Sequence, residues 1–228
     1  MKKRAYYVIA GLFLLAFVTN FNYGSSSGSS SKSSAAPIVV KAAFVTDTGA
    51  LKVVPLTGGN PTTLVNSGVV ECQVTKDAGK VVYINDLNDL RVIPIYGGTQ
   101  TNLAIFVKDF KIAKNSSKVV YIDNYDPVSK TGNLNVISIS GGTPTLLNND
   151  VSDFEISDDS NKVVYLTGTD DLCVISINGV TANLLMDDVV SFRITPNSTK
   201  VVYIDNYDPV SKTGDLNVVS IGGGTPTV

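Results

Sequence analysis

The fourteen residues VVYIDNYDPVSKTG occur at 119–132 and again, without a change, at 201–214, 82 positions apart. The match runs on to residues 145 and 227, broken only at Asn133/Asp215, Ile137/Val219 and Ser140/Gly222. A chain of 228 residues that restates a phrase of this length is assembled from copied structural units, and the unit must be defined before any residue is given a role.

Aligned on the lysine that precedes the phrase, five copies emerge: KAAF (41–44), KVVY (80–83), KVVY (118–121), KVVY (162–165) and KVVY (200–203), spaced by 39, 38, 44 and 38 residues. A second column reads ALKVVPL (50–56), DLRVIPI (89–95), NLNVISI (133–139), DLCVISI (171–177) and DLNVVSI (215–221). Apolar and polar residues alternate there among β-branched side chains, the pattern of a strand. A third column precedes the lysine: ECQV (71–74), DFKI (109–112), DFEI (153–156) and SFRI (191–194), whose Phe and Ile, two apart, face the same way. Turn-forming KDAG, KNSS, DDSN and PNST fall before each lysine, and Gly-rich TGG, YGG, SGG, NG and GGG after the second column. PTTLV, TPTLL and TANLL supply a fourth short run. About 40 residues and four strands joined by tight turns, with no helical period, are the dimensions of one propeller blade.

The pattern F-x-[IV]-[ST]-x-[DN]-[SG]-x-K-V-V-Y-[IL], then D-L-x-V-[IV]-S-I, then G-G-T-P-T-x-L, resembles the TolB-like (PD40) propeller repeat, a relative of WD40-like repeats whose hallmark is a Ser-Pro-Asp-Gly-Lys turn before a Val/Tyr strand. The resemblance covers nearly everything after residue 40; the turn is degenerate, since only Pro196 keeps the proline and no copy has the full Pro-Asp-Gly. It implies an all-β fold, a β-propeller of four-stranded antiparallel blades, and a role in protein–protein contact at the bacterial cell envelope. About five blades are expected, starting near residues 41, 69, 107, 151 and 189 of a propeller region spanning 38–228. The first copy has only PIVV where an inner strand is due and the last stops at TPTV, so an incomplete, open ring is expected, its closing strand beyond Val228.

Upstream of the repeats, Lys2, Lys3 and Arg4 precede the apolar YYVIAGLFLLAFV (6–18). Thirteen apolar residues fit the h-region of a secretory signal better than a spanning helix, which needs about 20. Residues 1–23 therefore read as a signal peptide or N-terminal anchor, and 24–37 as a Ser/Gly-rich linker. A periplasmic or extracellular location follows, with the membrane reached only through an uncleaved N-terminal segment. Without the three leading cations, 15 basic residues face 20 acidic ones, a net of −5 that offers no footprint for nucleic acid.

The chain has no histidine, which removes the usual base for a serine nucleophile, and no G-x-S-x-G. Without histidine, Cys72 and Cys173 cannot assemble a zinc site. The carboxylates of DNYDPVS miss the alternate-position oxygens of an EF-type calcium loop, because Tyr125 and Val128 stand where ligands belong. No enzymatic activity, metal or cofactor is expected. Cys72 sits in the column of Phe110, Phe154 and Phe192; Cys173 aligns with Lys52, Arg91, Asn135 and Asn217, a column read as outward-facing. The two thiols are expected to be unpaired.

Copies three and five carry the long link DNYDPVSKTG between their second and third strands, where copies two and four have NDLND or TGTDD. Strand reversal places these links on the same rim as the connections between blades, including LNNDVSD (147–153). Loops on a rigid scaffold collect binding residues, and Tyr125 and Tyr207 sit where packing supplies no reason for an aromatic. The candidate binding residues are therefore Asp123, Asn124, Tyr125, Asp126 and Lys130, with their copies Asp205, Asn206, Tyr207, Asp208 and Lys212. The expected function is an exported, non-catalytic propeller that binds or scaffolds another envelope or extracellular protein. The alternatives are the propeller domain of a larger hydrolase of the prolyl-oligopeptidase type, or a glycan-binding surface protein.

Overall fold

The computed structural model describes residues 41–179 and 181–227; the leader and linker expected at 1–37 lie outside the described residues. Among the described residues there is no helix, and seventeen antiparallel strands form five blades. Blade 1 holds β1 (Lys41–Val45), β2 (Leu51–Pro55) and β3 (Thr62–Val65). Blade 2 holds β4 (Val69–Val74), β5 (Lys80–Asn85), β6 (Leu90–Pro94) and β7 (Thr101–Ala104). Blade 3 is β8 (Val107–Ile112), β9 (Lys118–Asp126), β10 (Thr131–Ser138) and the first part of β11 (Thr145–Ile156). Blade 4 takes the second part of β11 with β12 (Lys162–Thr167), β13 (Leu172–Ser176) and β14 (Asn183–Met186). Blade 5 is β15 (Ser191–Ile194), β16 (Lys200–Asp208) and β17 (Thr213–Ser220), extended by a bridge between Val218 and Thr227.

β11 departs from the expected plan. LNNDVSD is not a loop but the middle of a twelve-residue strand, in which Val151 pairs with Gly132 of blade 3 and with Thr167 of blade 4. One strand thus serves two blades, which is why blades 3 and 4 share a seven-stranded sheet. No strand pair joins blade 1 to blade 5 among the described residues, so the sheets form an open arc.

The core lies between blades, and each junction repeats the same columns. Blade 3 presents Val120, Ile122, Leu134 and Val136 to blade 4, which answers with Phe154, Val163, Tyr165, Ile175 and Ile177. Blade 2 presents Val82, Ile84, Leu90 and Val92 to Phe110, Val119, Tyr121, Ile137 and Ile139. Each blade therefore has a leading face toward its successor and a trailing face toward its predecessor, and period-two strands supply both at once. The tyrosines of the KVVY column fill the trailing faces and are almost wholly buried.

Polar staples set the blade spacing at the rim away from the long links. The Lys80 amine reaches the Ile139 carbonyl, Lys118 that of Ile177, and Lys162 that of Ile221, each one blade ahead. Beside them, the hydroxyls of Ser116, Ser160 and Ser198 accept from the backbone N–H of Asp77, Asn115 and Asp159 of the preceding blade at 3.0–3.1 Å. These serines have φ of 58–61°, the left-handed position of their turns. The degenerate turn is therefore a working inter-blade joint.

Both cysteines are free and half-buried. Cys72 packs in the blade 1–2 core, where burial pushes its thiol up to about 11. The reading of the Cys173 column as outward is corrected: Cys173 packs against the blade 3–4 core, and Asn135 and Asn217 of that column are buried. The third strand lies between two neighbours in its own sheet, and this column shares the face of the KVVY tyrosines, turned toward the preceding blade.

Candidate functional site

The links between second and third strands take two forms. In the short form Asn85 or Thr167 caps a tight turn: the Asn85 side-chain oxygen accepts from the N–H groups of Leu87 and Asp89, and the Thr167 hydroxyl from that of Asp171. The long form is not a loop either. β9 and β10 run on as a hairpin, Asp126 pairing with Thr131 across the tip, and the Asp126 carboxylate accepts from the Val128 N–H at 2.8 Å. Asp208 does the same for Val210 and also accepts from Ser211; these bonds hold its carboxyl below the usual carboxylate range. Both carboxylates are thus engaged in shaping their own tips.

The links do share a rim with the blade connections. Backbone bonds run from Asp86 N–H to the Gly68 carbonyl, Asn124 N–H to the Phe106 carbonyl, and Gly168 N–H to the Asp150 carbonyl. Of the ten residues singled out in sequence, Asn124 and Tyr125 line a cleft on this rim between blades 2 and 3. Tyr125 also leans on the blade 3–4 core, which corrects the expectation that packing gives no reason for it; the Lys108 amine lies 5.5 Å from its ring centroid. Asp123 is half-buried and its carboxyl is pushed up by burial, against the hydrogen bonds that Asn133, Asn135 and Asn124 give it. Asp126 and Lys130 project at the exposed tip. In blade 5, Asp205 accepts from Asn206 and Asn217, while Tyr207 and Lys212 are exposed. Blade 4 stands between the two hairpins, so the copies do not form one site.

The cleft has a volume of about 650 Å³ and is lined by Val70, Glu71, Ile84, Phe106 and Lys108 besides the two hairpin residues. Phe106 is its unusual member. The connection between blades needs a left-handed residue at one point, and the occupants are Gly68, Phe106, Asp150 and Asp188. Gly and Asp tolerate this conformation; a bulky aromatic does so at a cost of roughly 1–2 kcal/mol. Phe106, at φ 57°, is held there by Val107 N–H on the Asn88 carbonyl and Asn124 N–H on its own carbonyl. Phe106 is nonetheless 61% exposed. Val70 in the cleft is also largely exposed, with Glu71 and Lys108 in the same lining, and Leu87 and Ile105, the chain neighbours of the lining residues Asn88 and Phe106, are exposed as well. None of these residues was picked out in sequence; the signal available was the Phe in a column of Gly and Asp. Among the described residues, no three of Cys, Asp and Glu gather as a metal centre would require.

No family model matches the sequence, and no curated protein matches it either. Solved structures do resemble the fold. The tricorn protease matches over 79% of this chain with a TM-score of 0.59 at 15% identity, this chain spanning only 20% of that one. A protein assigned as TolB from Agrobacterium tumefaciens matches over 79% of this chain and 73% of its own, with a TM-score of 0.52 and 15% identity. The β-propeller domain of the trilobed protease from Pyrococcus furiosus, described as having an open velcro topology, covers 70% of this chain and 56% of its own, with a TM-score of 0.52 at 9% identity. The fold is that of a β-propeller whose sheets are not closed.

Proposed function

We propose that this chain is a non-catalytic, TolB-like binding module, exported to the periplasm or cell surface, that takes a segment of another envelope or extracellular protein into the cleft between blades 2 and 3. The observation that carries the reading is Phe106: a strained backbone that holds an aromatic ring out into water beside Val70, Tyr125 and Lys108. Strain of this kind gathers at binding sites, and contiguous exposed apolar side chains rimmed by charge mark protein contacts. Export rests on the basic and apolar leader of the sequence, and the envelope assignment on the resemblance of its repeats. A role as the propeller of a larger hydrolase draws on the likeness to the protease propellers, which is one of fold. The test is capture from an envelope extract with the immobilised chain, its Phe106→Gly and Lys108→Glu variants, and a form whose blade 5 hairpin alone is cut to TGTDD. The cleft reading expects one protein held by the parent and by the shortened blade 5 hairpin, and lost from the Phe106 and Lys108 variants. A partner held equally by all forms shows that it binds elsewhere.

A further inference from the structure

The duplicated phrase provides an internal comparison. In blade 3 it is covered by blade 4; in blade 5 no further blade covers the same residues among the described residues. Leu134 is fully buried, whereas its copy Leu216 is 62% exposed. Thr131 and Gly132 are buried, Thr213 and Gly214 exposed, and Val202, Ile204 and Val218 lose the full burial of Val120, Ile122 and Val136. A cleft of about 290 Å³ runs along this face, lined by Arg193, Val202, Ile204 and Leu216.

At the other end of the arc, blade 1 shows the complementary half. Ala42, Phe44, Val54 and Leu56 stand in the columns of Val81, Tyr83, Ile93 and Ile95, the trailing face that fills every internal junction. Phe44 and Leu56 are exposed. The polar staples are equally matched. Gln73 and Lys111 of the inner strands donate to the Phe110 and Phe154 carbonyls one blade ahead; Arg193 occupies their column with its side chain largely exposed, and turns back to Glu155 and the Phe192 carbonyl. Lys200 follows Lys80, Lys118 and Lys162 in the ladder, and the Leu56 carbonyl and Thr57 hydroxyl stand where Ile139 and Ser140 receive Lys80.

We infer that copies of this chain associate head to tail, the leading face of blade 5 (Val202, Ile204, Leu216, Val218) seating on the trailing face of blade 1 of a second copy (Ala42, Phe44, Val54, Leu56). The junction is the one the chain already makes four times within itself, and among the described residues no blade covers either half at the two ends. Because the two surfaces differ, the contact is heterologous, and more than two copies can join.

Sedimentation velocity of the full chain in mild detergent, across a concentration series, tests this with Leu216→Asp and Leu56→Asp, both at exposed positions. The parent should at least double its mass. Each variant alone should be monomeric, with an unchanged thermal transition. Mixed, they should form a one-to-one dimer and nothing larger, because the intact blade 1 of one meets the intact blade 5 of the other. A parent that stays monomeric overturns the inference, whether the face is covered by its own chain or by a different protein. So does association that survives both substitutions, which the apolar leader would explain, or a mixture that remains monomeric.

Discussion

The Lys118 amine donates to the Ile177 carbonyl at 3.3 Å and to the Asn178 side-chain oxygen at 2.6 Å, tying the start of one blade's second strand to a turn of the next. A charged donor bound to a turn carbonyl contributes more than an average hydrogen bond, discounted here for partial exposure. Lys118→Met should lower stability by about 1 kcal/mol. Lys130→Met, at the exposed hairpin tip, should stay within about 0.5 kcal/mol. Urea unfolding of the two variants checks the difference, and equal effects would show the staple to be incidental.

Leu134 and Leu216 separate sequence from context. Leu134→Ala empties a site enclosed by blades 3 and 4 and should cost roughly 2–5 kcal/mol. Leu216→Ala removes an exposed side chain and, measured where the chain is monomeric, should cost about 0.5 kcal/mol or less. Comparable losses at both positions would mean that blade 5 is covered in solution.

Gly132 and Gly214 should behave alike where the leucines differ. A Cβ on Gly132 would sit 2.5 Å from the Asp123 carbonyl oxygen and 2.7 Å from the Ile122 side chain; on Gly214, 2.9 Å from the Asp205 oxygen and 2.7 Å from the Ile204 side chain. The obstruction lies inside each hairpin, where the register shifts between strands. Both Gly→Ala variants should lose about 1–3 kcal/mol, and a neutral Gly132→Ala would show that the hairpin relaxes freely.

The blade order was legible because each column has one physical job repeated in four or five copies. The Tyr83, Tyr121, Tyr165 and Tyr203 column fills trailing faces, and its burial follows from strand alternation alone. What was not legible depends on neighbours that no single copy specifies. The pairing of Val151 with both Gly132 and Thr167 turns a connection into a strand, and it needs two blades to exist. The packing of Tyr125 on the blade 3–4 core is of the same kind, since Tyr207, with identical flanks, stays exposed. Asp126 reads as a candidate binding residue in sequence, and in the structure its carboxylate accepts from the Val128 N–H of its own turn. Phe106 differs: sequence shows a Phe in a column of Gly and Asp, but the reason it matters, a left-handed backbone φ, shows only in the structure.

Stability should be flat between about pH 6 and pH 8, because the chain has no histidine to titrate there. Burial pushes the Cys72 thiol up to about 11, and burial, with Asp123 and Cys173 adding to it, pushes the Tyr121 and Tyr165 hydroxyls up to about 12. The unfolded chain releases these protons first, so it binds fewer than the folded chain from about pH 9 upward, and stability falls as pH rises through about 9 to 12. Denaturant midpoints against pH should show this one-sided decline. At about pH 8 the same shift leaves Cys72 about a hundredfold poorer in thiolate than an ordinary cysteine. Alkylation of the folded chain should therefore leave it unmodified under conditions that label both cysteines after unfolding.

Phe106 sets stability against binding. Glycine accepts the left-handed conformation that Gly68 already supplies at the preceding blade connection, so Phe106→Gly should relieve about 1 kcal/mol of backbone strain. Part of that gain is offset by the greater freedom of glycine in the unfolded chain. The exposed ring contributes little packing to the folded state, which leaves the balance favourable. Phe106→Ala keeps the strain while removing the ring, and it should be no more stable than the parent. A rise in the urea midpoint for the glycine variant alone, together with loss of partner capture in both variants, would show that the strain is retained for the side chain it displays. A glycine variant that is less stable than the parent would mean that the ring packs usefully in solution and that the backbone outlier serves the fold instead.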